Sequence, residues 1–258
     1  MRIALIADLH ANLPALRAVL DDTARIGCDA VWCAGDLVGR GPHPNQVVQL
    51  IREREIPTVQ GNWDEAVGMG RAVTGSLWAS AEAEELGQQS LGWTMGELSE
   101  ENLAWLRQLP TNLRFLVEGR NAQLFHGSPL KQSEYLWEER PSRHFARVAT
   151  DEGDDLFCFG HSHETFHRVS GQSHFVAAGS VGCGGEGDAN ARYAVIYVSD
   201  ADLVVGFRSI AYERDEVLRD LAAAGLSAGL LASHPVPHPT AEAPRTDAEP
   251  APDAAQAG

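Results

Sequence analysis

Five short segments of the chain carry side chains that bind metal cations: Ala7-Asp8-Leu9-His10, Gly35-Asp36, Gly61-Asn62-Trp63-Asp64, Phe125-His126-Gly127-Ser128 and Gly160-His161-Ser162-His163. Two carboxylates (Asp8 and Asp36), one amide oxygen (Asn62) and four imidazoles (His10, His126, His161 and His163) form a mixed oxygen and nitrogen set. Such a set suits borderline cations such as Mn²⁺, Fe²⁺ or Zn²⁺. Seven ligands exceed what a single tetrahedral ion takes, so a shared site for two metals, with one carboxylate bridging, is the economical reading. One residue separates Asp8 from His10 and His161 from His163, and in extended backbone each pair points to one side. Glycines at 35, 61, 127 and 160 stand beside the proposed ligands, where the chain must turn sharply or pass close to the site.

Elements that could position these residues are legible around them. Short apolar, often β-branched runs at 3–7, 30–34, 57–60, 121–125, 156–159, 174–178 and 193–198 read as strands. Each metal-binding segment follows one of these runs, and in open α/β folds ligands bind beyond the carboxyl ends of strands. Residues 13–26 read as a helix, with Pro14 near its start, apolar residues at Leu16, Val19 and Leu20, and Gly27 after its end. Residues 45–54 form a second, ending before the extended Ile56-Pro57 pair. A helical insertion spans about 64–112. Within it Ser99 caps a helix over 100–109, with Glu100 and Glu101 in the first turn, Leu98 and Leu103 as a hydrophobic staple, and Pro110 as the stop. The shorter connections between later strands suit hairpins. The expected fold is α/β, with two packed sheets and helices outside.

The chain has 258 residues, 44% hydrophobic and 22% charged, which is ordinary globular composition. Its formal charge of -16 works against binding to long nucleic acid or to an anionic membrane surface. No apolar run is long enough to span a bilayer or serve as a signal-peptide core, so the chain reads as soluble and cytoplasmic. The four cysteines, Cys28, Cys33, Cys158 and Cys183, lack C-x-x-C spacing and read as reduced, structural thiols. From 233 to 258 the sequence holds six Pro and seven Ala with no aromatic residue, which reads as a disordered tail after a domain over 1–232. No repeat of fixed period is present, which argues against a solenoid or propeller.

The order and wording of the motifs, D-x-H, G-D, G-N-x-D, H-G and G-H-x-H, resemble the calcineurin-like metallophosphoesterase superfamily from residue 1 to about 211. The Gly179-Ser180-Val181-Gly182 segment is similar to its small bacterial phosphodiesterase branch. The resemblance implies a four-layer α-β-β-α sandwich of two mixed sheets with flanking helices. It also implies two divalent metal ions, Mn²⁺ first, with Fe, Zn, Ni or Mg as alternatives. Asp8, His10, Asp36 and His163 would hold one. Asp36, Asn62, His126 and His161 would hold the other, with Asp36 bridging. Two adjacent cations supply hydroxide near neutral pH and neutralise phosphate oxygens, so a metal-bridging hydroxide attacks the ester without a protein nucleophile.

Asp36, Asn62 and Arg40 are the candidate catalytic residues. Arg40, in Gly39-Arg40-Gly41, resembles the phosphate-contacting arginine of phosphoprotein phosphatases and dinucleoside-tetraphosphate hydrolases, and a guanidinium binds phosphate in bidentate fashion. The alternative is a solvated loop arginine. Trp63 departs from the family, many of whose members carry histidine there to protonate the leaving group or hold phosphate. An indole can do neither and offers only a neutral donor; packing or stacking on a base or aryl group are its remaining roles. Tyr135, Leu136 and Trp137 would shape a substrate pocket or join the core. Trp78, Trp93 and Trp105 are expected on buried helix faces, and His43 on the surface. The expected function is hydrolysis of small phosphate esters, diesters ahead of monoesters, nucleotides included. A dinucleoside polyphosphate or phosphoanhydride hydrolase and a catalytically weak metal-binding scaffold are the alternatives. An exposed sheet edge or the insertion leaves an oligomer open.

Overall fold

A computed structural model of the chain describes residues 1–184 and 189–232; the tail expected at 233–258 lies outside them. The described residues form nine strands: β1 Arg2–Ile6, β2 Ala30–Cys33, β3 Asn112–Val117, β4 Arg120–Phe125, β5 Leu156–Phe159, β6 Thr165–Ser170, β7 Ser173–Ala178, β8 Ala191–Val198 and β9 Leu203–Ile210. They build a four-stranded sheet of order β2-β1-β8-β9 and a five-stranded sheet of order β3-β4-β5-β7-β6. Both sheets are mixed. β1 runs parallel to β2 and antiparallel to β8, while β5 is parallel to both β4 and β7.

The layers follow from strand periodicity, which sends successive side chains to opposite faces. Ile3 and Leu5 of β1 and Leu156 and Cys158 of β5 meet in a core between the sheets. Ala4 and Ile6 face outward onto α1 (Leu13–Arg25) and α2 (Pro44–Glu53), against Leu16, Val19, Val48 and Ile51. Phe157 and Phe159 face the other way and pack with Phe145 of α6 (Ser142–Glu152) in an aromatic third core. Because β1 and β5 are buried on both faces, their sequences read as continuous apolar runs. The result is the four-layer α-β-β-α sandwich the motifs implied.

The segment 64–112 holds α3 (Asn62–Met69), α4 (Ala81–Glu97) and α5 (Glu100–Gln108). Ser99 caps α5 as expected, its Oγ accepting from Asn102 N at 3.2 Å. Residues 57–60, expected as a strand, instead touch the sheet through one parallel bridge between Cys33 and Thr58. Three strands went unanticipated. β3 is largely exposed, with Leu116 facing outward, and reaches β4 through a tight turn at Glu118 and Gly119, both at positive φ. β6 and β9 each close a hairpin on the strand beside them. The described chain closes with α7 (Arg214–Ala223) followed by a short 3-10 turn, Ala228–Leu231.

Candidate metal centre

The carboxyl ends of β1, β2, β4 and β5 lead into loops that bring Asp8, His10, Asp36, His126, His161 and His163 together, and Asn62 joins them from the first turn of α3. The loops are stitched to one another. Asp8 N donates to Gly35 O at 2.9 Å, His10 N to Asp36 O at 2.9 Å, Ala11 N to Leu37 O at 2.8 Å and Gly160 N to His126 O at 3.0 Å. The paired residues do not reach the site by extended alternation, as the D-x-H and H-x-H spacings suggested. Asp8, His10, Asp36, His161 and His163 all adopt left-handed backbone, with φ between 43° and 66°. That conformation costs a residue with a Cβ of order 1–3 kcal/mol and persists only where surrounding structure enforces it.

Asp36 is the geometric middle. Its Oδ1 accepts from Trp63 N at 2.9 Å, leaving Oδ2 at 3.8 Å from His10 Nε2 and 3.4 Å from His126 Nε2. Gly61 is required beside it, because a Cβ there would strike the Asp36 carboxylate and backbone. Asp8 accepts from His161 N at 3.0 Å and stands 3.5 Å from His163 Nε2. Two imidazoles have a defined tautomer. His126 Nδ1 contacts Ala34 O at 2.6 Å and His10 Nδ1 contacts Val38 O at 3.2 Å. A carbonyl only accepts, so each Nδ1 carries a proton, and Nε2 is the nitrogen each ring would turn to a cation once that atom is deprotonated. Asn62 is oriented in the same way: its Nδ2 donates to Thr74 O at 3.0 Å and Ser76 Oγ at 3.1 Å, leaving Oδ1 3.0 Å from His126 Nε2.

These side chains fit divalent cations. The His161 Nε2 is buried with no hydrogen-bond partner, and lone-pair donors face one another, as His10 Nε2 and His163 Nε2 do at 3.1 Å. Burial, then the charges of Arg40 and His163, hold His10 well below the usual imidazole range. Burial does the same to His161, with His126 and His163 adding to it. Burial also acts to lower His126, but the charge and hydrogen bond of Asp36 outweigh it and push that ring up to about 9. Asp64 is not among the predicted ligands and supports them instead. It accepts from Leu37 N and Gly61 N, both at 2.9 Å, and burial together with Asp36 pushes its carboxyl up to about 7.

Trp63 is 1% exposed and lies edge-on to His10 with ring centroids 5.9 Å apart, so it packs the core and does not face a substrate. Gly39 passes against its ring so closely that a Cβ would overlap it. Trp78, expected on a buried helix face, lies before α4. It is edge-on to Trp63 at 6.3 Å and 5.5 Å from the Arg40 guanidinium, which is also 5.8 Å from Trp63. Arg40 N donates to Ser90 Oγ at 2.8 Å, and its Nε is buried without a partner. Tyr135 lies against His161 with centroids 3.9 Å apart and the rings tilted by 34°, whereas Leu136 and Trp137 are buried. His43 reaches α7, its Nε2 2.8 Å from Asp220 Oδ2. Cys183, read as a structural thiol, lies among the ligands beside His10 and His163. Its position directly after the Gly179-Ser180-Val181-Gly182 segment was the available signal. Next to Asn62 a cavity of about 480 Å³ opens, lined by Arg71, Thr74, Lys131 and Ser133 among others.

The site and the sandwich together define a calcineurin-like phosphoesterase. The chain belongs to that superfamily, whose domain matches residues 1–201 and whose class is that of metal-dependent phosphoric ester hydrolases. It is similar to a metallophosphoesterase from Sphaerobacter thermophilus, with 29% identity, a TM-score of 0.70, and coverage of 90% of this chain and 96% of that one. Hypothetical protein PH1004 from Pyrococcus horikoshii OT3 shares the fold at 19% identity and a TM-score of 0.77, covering 89% and 96% of the two chains. Uncharacterized protein MJ0912 of Methanocaldococcus jannaschii is 34% identical over 170 residues. That match takes in 64% of this chain and 63% of the relative, under two thirds of its length. No helix among the described residues is long and apolar enough to cross a membrane.

Proposed function

We propose that the chain hydrolyses small phosphodiesters at a centre for two divalent cations, held within residues 1–232 and working in the cytoplasm. Asp8, His10, Asp36 and His163 would hold one ion, and Asp36, Asn62, His126 and His161 the other, with Mn²⁺ the first candidate for the latter. The observation that carries this reading is Asp36 Oδ2, poised between the Nε2 atoms of His10 and His126. Cations bound there supply a water acidified toward neutral pH and neutralise charge on the phosphate oxygens.

The chain's own groups do the rest. Asp36 is the carboxylate shared by both ligand sets, and the carbonyls of Ala34 and Val38 hold His126 and His10 in the ligating tautomer. Arg40, fixed between two indoles, turns its guanidinium to a phosphate oxygen, for which its unpartnered Nε is suited. One ester arm enters the cavity beside Asn62. Since Trp63 is buried and cannot serve as an acid, diesters with good leaving groups are the favoured substrates.

Turnover of bis-p-nitrophenyl phosphate with added Mn²⁺ tests the reading. Asp36→Ala should lower both metal content and rate, the latter on the order of 10²–10³-fold, as when a group stabilising transition-state charge is removed. A folded sample with two cations per chain and no turnover would refute the enzymatic reading. Arg40 favours a second substrate class, phosphoanhydrides, and faster hydrolysis of a dinucleoside polyphosphate than of any diester would select it.

A further inference from the structure

The turn after β7 brings a residue into the centre that the seven-ligand set does not include. Cys183 is fully buried, and its Sγ and ring nitrogens of His10 and His163 all lie within 4.8 Å of one another. The position is enforced by backbone. Val181 N donates to Ala7 O at 3.0 Å, Gly182 N to Asp8 O at 2.9 Å, Ser180 Oγ to Asp8 O at 3.0 Å and Cys183 N to Ser180 Oγ at 2.9 Å. These bonds clamp the turn onto the end of β1, where Gly182 passes so near the Leu9 carbonyl that a Cβ would overlap it. The thiol's backbone acceptor is the Leu230 carbonyl at 3.8 Å, a weak contact, and the Arg40 side chain lies within hydrogen-bond reach of the sulfur, a cation that favours its thiolate form. Beside the thiol, His10 Nε2 and His163 Nε2 lie 3.1 Å apart, two lone-pair nitrogens turned on one point, and the unpartnered, buried Nε2 of His161 belongs to the adjoining group of Asp36 and His126.

We infer that Cys183 Sγ is a further ligand of the cation held by Asp8, His10, Asp36 and His163, and that it gives this half of the centre a preference for thiophilic divalent ions over Mn²⁺. The inference rests on the metal-centre reading above. On binding, the S–H bond breaks heterolytically. The electron pair stays on sulfur and forms the bond to the cation, and the proton leaves to solvent, so nothing is oxidised or reduced. One thiolate among nitrogen and oxygen donors shifts selectivity toward softer ions such as Zn²⁺ or Co²⁺.

Cobalt reports this directly. The full chain, stripped of metal and titrated with Co²⁺, should develop visible ligand-field bands together with a near-ultraviolet sulfur-to-cobalt charge-transfer band. In Cys183→Ser the visible bands should remain, the charge-transfer band should vanish, and Co²⁺ affinity should fall by about tenfold or more. Mn²⁺ affinity should fall by a smaller factor than Co²⁺ affinity, and an equal loss for both ions would overturn the inferred preference. Visible bands without charge transfer in the parent chain would overturn the inference while leaving the metal-centre reading intact, and that result needs no variant to fold. A charge-transfer band that survives in Cys183→Ser would also overturn it, placing the sulfur elsewhere. Failure to bind any Co²⁺ would overturn the inference and the metal-centre reading together.

Discussion

The half of the centre around His10 and His163 is walled by Trp63, Arg40 and Cys183. The half around Asn62, His126 and His161 is walled by Tyr135 and opens beside Asn62 onto a cavity of about 480 Å³. Asp36 stands between the two, its Oδ2 3.8 Å from His10 Nε2 and 3.4 Å from His126 Nε2. On the proposed function, the half without that cavity would fix the phosphate while the half beside it would admit the ester arms.

The largest expected effect comes from removing one ligand of each half. Asn62→Ala and His163→Ala should each leave about one cation per chain by elemental analysis and lower the rate on the order of 10²–10³-fold. Loss of both ions from either variant would break the comparison, because the halves would then be one cooperative unit. Arg40→Ala should come next. Loss of a charge-assisted phosphate contact of about 1.5–3 kcal/mol lowers kcat/KM roughly ten- to hundredfold, with metal content intact; full activity would return Arg40 to the role of a loop residue. On the open side, Lys131→Ala should raise KM about two- to fivefold without changing kcat, in line with an exposed charge. A kcat effect would place Lys131 nearer the reacting atoms than the cavity lining suggests.

The smallest effect lies far from both halves and serves as their control. Burial acts to raise the Asp22 carboxyl, but hydrogen bonds from Arg208, Tyr193 and Arg25 overcome it and pull the group down to about 2. A carboxylate depressed in the fold stabilises it above the unfolded value near 3.8 and loses that contribution as pH falls toward 2. Asp22→Asn should therefore flatten the pH dependence of thermal unfolding across that interval and leave metal content at neutral pH unchanged. A variant that also lost metal would show the clamp to be coupled to the centre.

Much of this was legible from residue types. The order of the metal-binding segments pointed to the sandwich, and the gathering of all seven side chains follows from loops that leave parallel strands at one end. What the sequence concealed was conformational and long-range. One-residue spacing in Asp8-Leu9-His10 is compatible with extended backbone, and nothing local announces that both residues turn left-handed; hydrogen bonds to the 35–37 segment impose it. Trp63 reads as packing ahead of a stacking platform, and Gly39 against its ring decides for packing. Cys183 is separated from His10 by most of the chain, so its arrival there is a matter of topology. β3 escaped notice because only one of its six residues is buried.

The left-handed backbone at Asp8, His10, Asp36, His161 and His163 bears on how this protein can be altered. Glycine would relieve strain at each of these positions, so a search for heat-tolerant variants scored on unfolding alone would be drawn toward the five places where the centre is made. Its chemistry and its thermal endurance compete for the same residues, and hardening the chain while keeping it active means working on the outer strands and helices.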